Sequence, residues 1–145
     1  MEAEEPEFLA RVRRLLTSQK HMTMATLRRD GSPRISGTEI QLEEGEIWLG
    51  MMPGSLKALD LRRDPRIALH SPTFDPPAGN ESAWDGDAKL AGRAVETTEG
   101  ETPDGGHRFR IDLTEVVLTR VGDPADHLVI ESWHPGRGLE RRKRA

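Results

Sequence analysis

Residues 21–51 read HMTMATLRRDGSPRISGTEIQLEEGEIWLGM, and the rhythm of this stretch decides the fold class. Apolar and polar residues alternate over short runs, the pattern of a strand that sends successive side chains to opposite faces of a sheet. Asp30-Gly31 and Glu44-Gly45 interrupt it. An acidic residue followed by glycine suits a tight hairpin, because such turns need positive φ and glycine adopts it without steric cost. The spacing therefore predicts strands near Thr23–Arg28, Arg34–Leu42 and Glu46–Met51, joined as an antiparallel meander.

The same pattern continues outward from this stretch. RIALHS (66–71) follows the helix stop Asp64-Pro65 and reads as a further strand, as do DAKLAGRAVE (87–96), HRFRIDLTEVVLTRV (107–121) and HLVIESW (127–133). Residues 72–86 and 96–106 are rich in Pro, Gly, Asp, Glu and Thr and read as loops, and residues 135–145 form a basic tail. Upstream, PEFLARVRRLLTSQ puts Phe8, Leu9, Val12, Leu15 and Leu16 on one face of an N-terminal helix within residues 1–20. Most strand links are too short for a crossover helix, which excludes a Rossmann domain. Six or seven antiparallel strands with flanking short helices predict a mainly β protein, a compact barrel in one domain of residues 1–145.

Composition narrows the function classes. With 34% apolar and 32% charged residues over 145 positions the core is lean, and a second subunit covering apolar surface would help it. The absence of cysteine excludes disulfides and thiolate metal sites. No apolar run approaches the roughly 20 residues of a membrane span, and the acidic start (Glu2, Glu4, Glu5, Glu7) does not resemble a secretion signal, so the expected location is cytoplasmic. A net charge of −4 argues against a dedicated nucleic-acid binder. Arg137, Arg141, Arg142, Lys143 and Arg144 read either as a solvated end or as an arm over an anionic ligand.

One local feature suggests chemistry. Pro53-Gly54 makes a turn, Ser55 is placed to cap the helix that follows, and Lys57 lies in its first turn. Unpaired N–H groups and the positive helix pole already favour an anion there. A lysine at that pole is mildly unfavourable unless a negative partner is present. The plain alternative is a capped helix with a solvated lysine.

PRISGTEI (33–40), followed by GEIWLGMMPGSLKALDLRRDPRIALH (45–70), resembles the flavin-binding core of the pyridoxamine 5′-phosphate oxidase-like split-barrel proteins. The resemblance covers Met22 to Ser71 well and the remainder loosely. It implies a Greek-key split barrel that binds FMN. By position, Arg34 faces the flavin phosphate or ring, and Ile35, Ser36, Gly37, Thr38 and Glu39 run along the isoalloxazine edge. Leu49, Gly50 and Met51 offer backbone groups, while Ser55 and Lys57 hold the phosphate. ESWHPGRGLERR (131–142) resembles the family segment whose tryptophan reaches the flavin across a dimer interface, which assigns that role to Trp133 and places Arg137 nearby. The family arginine between the serine and the lysine is Leu56 here, and Gly138-Leu139-Glu140 stands near where the family has Arg-Leu-His to grip the vitamin phosphate. Oxidation of that vitamin is therefore not what these residues imply.

The resemblance further implies a homodimeric oxidoreductase that passes a hydride to or from a small organic substrate, the redox chemistry belonging to the cofactor. The alternative cofactor is a deazaflavin, coenzyme F-420, whose carboxylate-bearing tail Arg62, Arg63 and Arg66 could serve. Those arginines otherwise complement the helix C-terminus. His21, His70, His107, His127 and His134 lack metal-like spacing, and no P-loop or GxSxG occurs. No acid or base for catalysis emerges, although the Trp133-His134-Pro135 corner could line a pocket. A non-catalytic flavin- or deazaflavin-binding protein, and a haem-binding or haem-degrading protein using His21, His70 or His134, are the competing readings.

Overall fold

The computed structural model of the chain describes residues 5–97 and 105–145. An N-terminal helix α1 (Pro6–Leu16) precedes strands β1 (Met22–Leu27), β2 (Pro33–Thr38), β3 (Ile40–Glu43) and β4 (Glu46–Met51). Helix α2 (Leu56–Arg63) then leads into β5 (Arg66–His70), β6 (Asp87–Glu96), β7 (His107–Val121), β8 (Leu128–His134) and β9 (Gly138–Arg144). All pairings are antiparallel, in the order β2-β1-β5-β6-β7-β4-β3, with the β8–β9 hairpin joined to β7.

The expected antiparallel split barrel with short helices is what the chain forms, and the sheet remains open between β2 and β3. Nine strands replace the six or seven expected. One extra strand arises because the run Arg34–Leu42 breaks at Glu39: β2 pairs with β1, whereas Ile40 turns to face Leu49 of β4. The other is β9, built from the basic end that read as a tail. The first polar loop holds a short 3-10 turn at Glu81–Ala83, and most of the second falls on residues 98–104, outside the described residues. The Glu44-Gly45 hairpin forms as expected, with φ of 51° and 77° at its two residues.

The register gives the sheet two contrasting faces. On the inner face, Ser36, Met24, Leu69, Leu90, Val116 and Trp133 stand opposite one another strand by strand. Helix α1 lays Phe8, Val12, Leu15 and Leu16, each at most 3% exposed, onto this face. Each such side chain contributes about 1.5–3 kcal/mol by leaving water. On the outer face the corresponding row runs Ile35, Ala25, Ala68, Ala91 and Glu115. Among the described residues no helix is long and apolar enough to cross a membrane.

Candidate functional site

Helix α2 is short, and its sequence LKALDLRR consists mostly of good helix formers. Two turns are marginal in isolation, so burial must hold it: Ala58 and Leu61 are nearly inaccessible. Gly54, at φ 70°, makes the entry turn, and Asp64-Pro65 ends the helix. Ser55 occupies the N-cap with extended backbone, but its hydroxyl makes no capping hydrogen bond. The expected cap is thus absent, and Ser55 Oγ is a buried polar atom with no partner among the described residues. Such an atom is costly to leave unpaired.

A second buried polar residue organises the corner, and sequence reasoning missed it. Asp60 is 2% exposed and faces β1 and β2 rather than solvent. Its Oδ2 accepts from Arg34 Nε at 2.7 Å and from Thr26 Oγ1 at 2.8 Å. Its Oδ1 accepts from Arg63 Nη2 at 2.9 Å. Burial raises the Asp60 pKa, but the hydrogen bonds from Arg34, Thr26 and Arg63 outweigh it and hold the carboxyl below its usual range. One carboxylate between two guanidinium groups leaves an excess positive charge along α2. The only sequence trace is the i, i+3 spacing of Asp60 and Arg63, which resembles many surface pairs.

The other expected residues distribute as follows. Lys57 Nζ donates to Gly37 O at 2.8 Å, so the ammonium spans from α2 to β2. Arg34 is fixed through Nε and is 22% exposed in its side chain. Ser36 and Thr38 turn toward the inner side, whereas Ile35 and Gly37 lie on the outer face. Ile35 is 76% exposed, as is Met52 beside the turn. Glu39 sits at the break between β2 and β3 and carries His21 Nε2 at 3.0 Å. On β4, Leu49 and Met51 are core residues and Gly50 points outward, where an added Cβ would meet nothing within 4 Å. Because β3 ends opposite Leu49, the backbone of Gly50 and Met51 faces the open side of the barrel without a strand partner there.

The chain does not bring Trp133 or Arg137 to this corner. Four strands, β1, β5, β6 and β7, separate β8 from β2. Trp133 packs against the core opposite Val116 and Leu139, and Arg137 is exposed in the β8–β9 turn. The arginines considered for an acidic tail are each engaged: Arg62 with Glu96, Arg63 with Asp60, and Arg66 with Asp64. The Arg66 guanidinium pulls the Asp64 carboxyl down to about 2. Among the described residues no three His, Asp or Glu side chains cluster as metal ligands. A cavity of about 380 Å³ lies between α1 and the inner face, lined by Leu9, Val12, Leu16, Ile47, Leu90 and Val116 among others. It shares no lining residue with α2, and apart from Arg13, Glu44 and Gly45 its lining is aliphatic.

Residues 8–121 match the family model described as pyridoxamine 5′-phosphate oxidase. No curated protein matches the sequence. The fold is similar to PhzG from Burkholderia lata 383, solved with tetrahydrophenazine-1-carboxylic acid (TM-score 0.70, 11% identity, covering 98% of this chain and 95% of that one). It is also similar to a pyridoxamine 5′-phosphate oxidase-related, FMN binding protein from Nostoc punctiforme (TM-score 0.69, 10% identity, 98% and 97%). An F420 reductase aligns at TM-score 0.55 and 13% identity over 70% of this chain and 92% of its own. At these identities the likeness is one of fold.

Proposed function

Since the chain belongs to the pyridoxamine 5′-phosphate oxidase family, we propose that it is an oxidoreductase that binds FMN at the α2 corner and passes a hydride to or from a small organic substrate. The observation that carries this reading is the buried Ser55 hydroxyl, without a partner among the described residues, at the start of a helix whose first turn also holds a lysine. A phosphate there would meet four kinds of donor. Ser55 Oγ supplies one hydrogen bond, and the first backbone N–H groups of α2 supply others. Lys57 has two ammonium hydrogens left after its bond to Gly37. Arg34 keeps its terminal nitrogens available, since its hydrogen bond to Asp60 uses Nε alone.

The cofactor supplies the hydride chemistry, and the protein supplies position and a dry wall. Asp60 holds Arg34 in orientation, so its charge need not be ordered at the moment of binding. Gly37 and Gly50 leave open space on the outer side, where a flat ring could approach backbone closely. FMN is favoured over the deazaflavin because Arg62, Arg63 and Arg66 are already neutralised by carboxylates and offer little to an acidic tail.

A homodimer completes the site in this reading, with Trp133 and Arg137 delivered by a second copy. The outer face supports it: Ile35, Ala25, Ala68 and Ala91, together with His70, Lys89 and Glu115, line a shallow, mainly apolar trough of about 310 Å³. The purified protein should travel at the mass of a dimer and bind FMN with a dissociation constant below ~100 µM, near −5.5 kcal/mol. Absorption and fluorescence titrations with FMN and with coenzyme F-420 measure this directly. If neither binds, the proposal is wrong; tighter binding of F-420 would transfer the site to the deazaflavin.

A further inference from the structure

His107 begins β7 opposite Met51 and is 9% exposed. Its ring nitrogens are both used. The Gly54 N–H donates to Nε2 at 3.0 Å, while Nδ1 lies 3.0 Å from Glu96 Oε2. A backbone N–H can only donate, so Nε2 must be the bare nitrogen, and Nδ1 carries the proton that Glu96 accepts. Glu96 is gripped in turn from α2, by Arg62 Nε at 2.7 Å and Nη2 at 3.0 Å. The chain of contacts forms a closed loop: the turn at Gly54, β7, β6, and back to α2, which the turn itself introduces.

We propose that His107 is a positioning residue for the anion site at the start of α2, holding the Gly54 turn only while its imidazole is neutral, so that acid weakens anion binding. The inference rests on the reading of Ser55 and Lys57 given above. Protonation places an N–H on Nε2, directly facing the N–H of Gly54, and a part-buried hydrogen bond becomes a donor–donor opposition. Gly54 immediately precedes Ser55, so movement of this peptide displaces the hydroxyl and the first helical N–H groups together.

Among the described residues, few charged groups face the imidazole. Glu96 approaches from β6 and Arg62 stands behind it on α2. The entry turn contributes the Gly54 N–H, and within β7 the Phe109 ring lies 6.5 Å away. Arg108, the neighbour in sequence, stacks over Trp48 instead. The hydrogen bond from Arg62 holds the Glu96 carboxyl below its usual range against the opposing effect of burial. Glu96 is therefore held in its ionised, acceptor form beside the Nδ1 proton of His107.

The test compares FMN affinity of the wild-type chain and His107→Gln between about pH 8 and pH 5.5, an interval that brackets histidine titration. Glutamine can accept from Gly54 and donate to Glu96 but does not titrate, so it reports only the ionisation of the FMN phosphate itself. The wild type should lose about tenfold more affinity than the variant on acidification. Parallel profiles would overturn the inference. The Gly54 amide signal of the ligand-free wild type provides a second reading: it should shift, and exchange faster, as His107 protonates. An amide indifferent to that protonation also overturns it. A wild type that binds no FMN even at pH 8 sinks the functional reading, while the Gly54 amide still decides whether His107 holds the turn.

Discussion

Two concentrations of positive charge stand in this molecule, one around α2 and one along β9, and they are built differently. Around α2 the cations end on fixed partners: Arg34 and Arg63 on a carboxylate only 2% exposed, Lys57 on the Gly37 carbonyl, Arg62 on Glu96. Along β9, the side chains of Arg142 and Arg144 project into solvent with no side-chain hydrogen bond or ion pair among the described residues. Only Arg141 reaches inward, to Glu131 at 3.0 Å. Charge density in the sequence is highest at the end of the chain, yet the organised field is at α2. Exposed cations on flexible stems are screened and must be ordered before they can grip anything. Cations held by a buried acceptor, as Arg34 and Arg63 are by Asp60, have already met that cost during folding.

The strongest way to break the contrast is Asp60→Asn. It leaves Arg34 and Arg63 beside an uncharged group in a largely buried corner and should cost about 3 kcal/mol, read from a denaturation midpoint. The sign of its pH dependence is fixed. The folded-state pKa of Asp60 is depressed, so its contribution is complete above the ordinary aspartate value near pH ~4 and disappears as pH falls through the folded value. The stability gap between wild type and variant should therefore close in strong acid. A gap that persists there would assign the loss to packing instead.

Lys57→Ala should have a smaller and more selective effect. The fold keeps its stability within about 0.5 kcal/mol, while the dissociation constant for FMN rises roughly tenfold, near 1.4 kcal/mol. An unchanged constant by fluorescence titration would make Lys57 a simple strut from α2 to β2. The smallest effect belongs to the double variant Arg142→Ala, Arg144→Ala. Stability should stay within about 0.5 kcal/mol, and FMN affinity should change less than about twofold at moderate salt. A large loss of affinity would place β9 in the anion site and erase the difference between the two clusters.

Much of this architecture is legible in residue order because it depends on neighbours. The alternation in β1, β4 and β5, the Asp30-Gly31 and Glu44-Gly45 hairpins, and the Asp64-Pro65 helix stop are decided within a few residues. The α1 stripe is equally local, and Phe8, Val12, Leu15 and Leu16 are buried as their spacing requires. The break at Glu39 left only a faint trace, a change of phase between Ile35 and the Ile40, Leu42 pair across Ser36–Glu39, and it is the competition between β1 and β4 for partners that divides the run. The same limit hid β9. Its side chains are mostly exposed, so it has no core stripe to announce it, and its backbone pairing with β8 makes the strand.

At the candidate site the divide is sharper. The order turn, serine, lysine and helix can be read directly, since those groups lie within five residues of one another. The Asp60 contact with Arg34 spans 26 residues, and the His107 contact with Gly54 spans 53. No local periodicity encodes either. By itself the sequence determined which segments are strands, where the chain turns, and that a lysine stands at a positive helix pole. Tertiary structure alone decided which carboxylate became buried, which cations it fixed, and which histidine nitrogen had to remain bare. Those outcomes depend on desolvation and on donors meeting acceptors across the sheet, and neither exists until distant strands have packed.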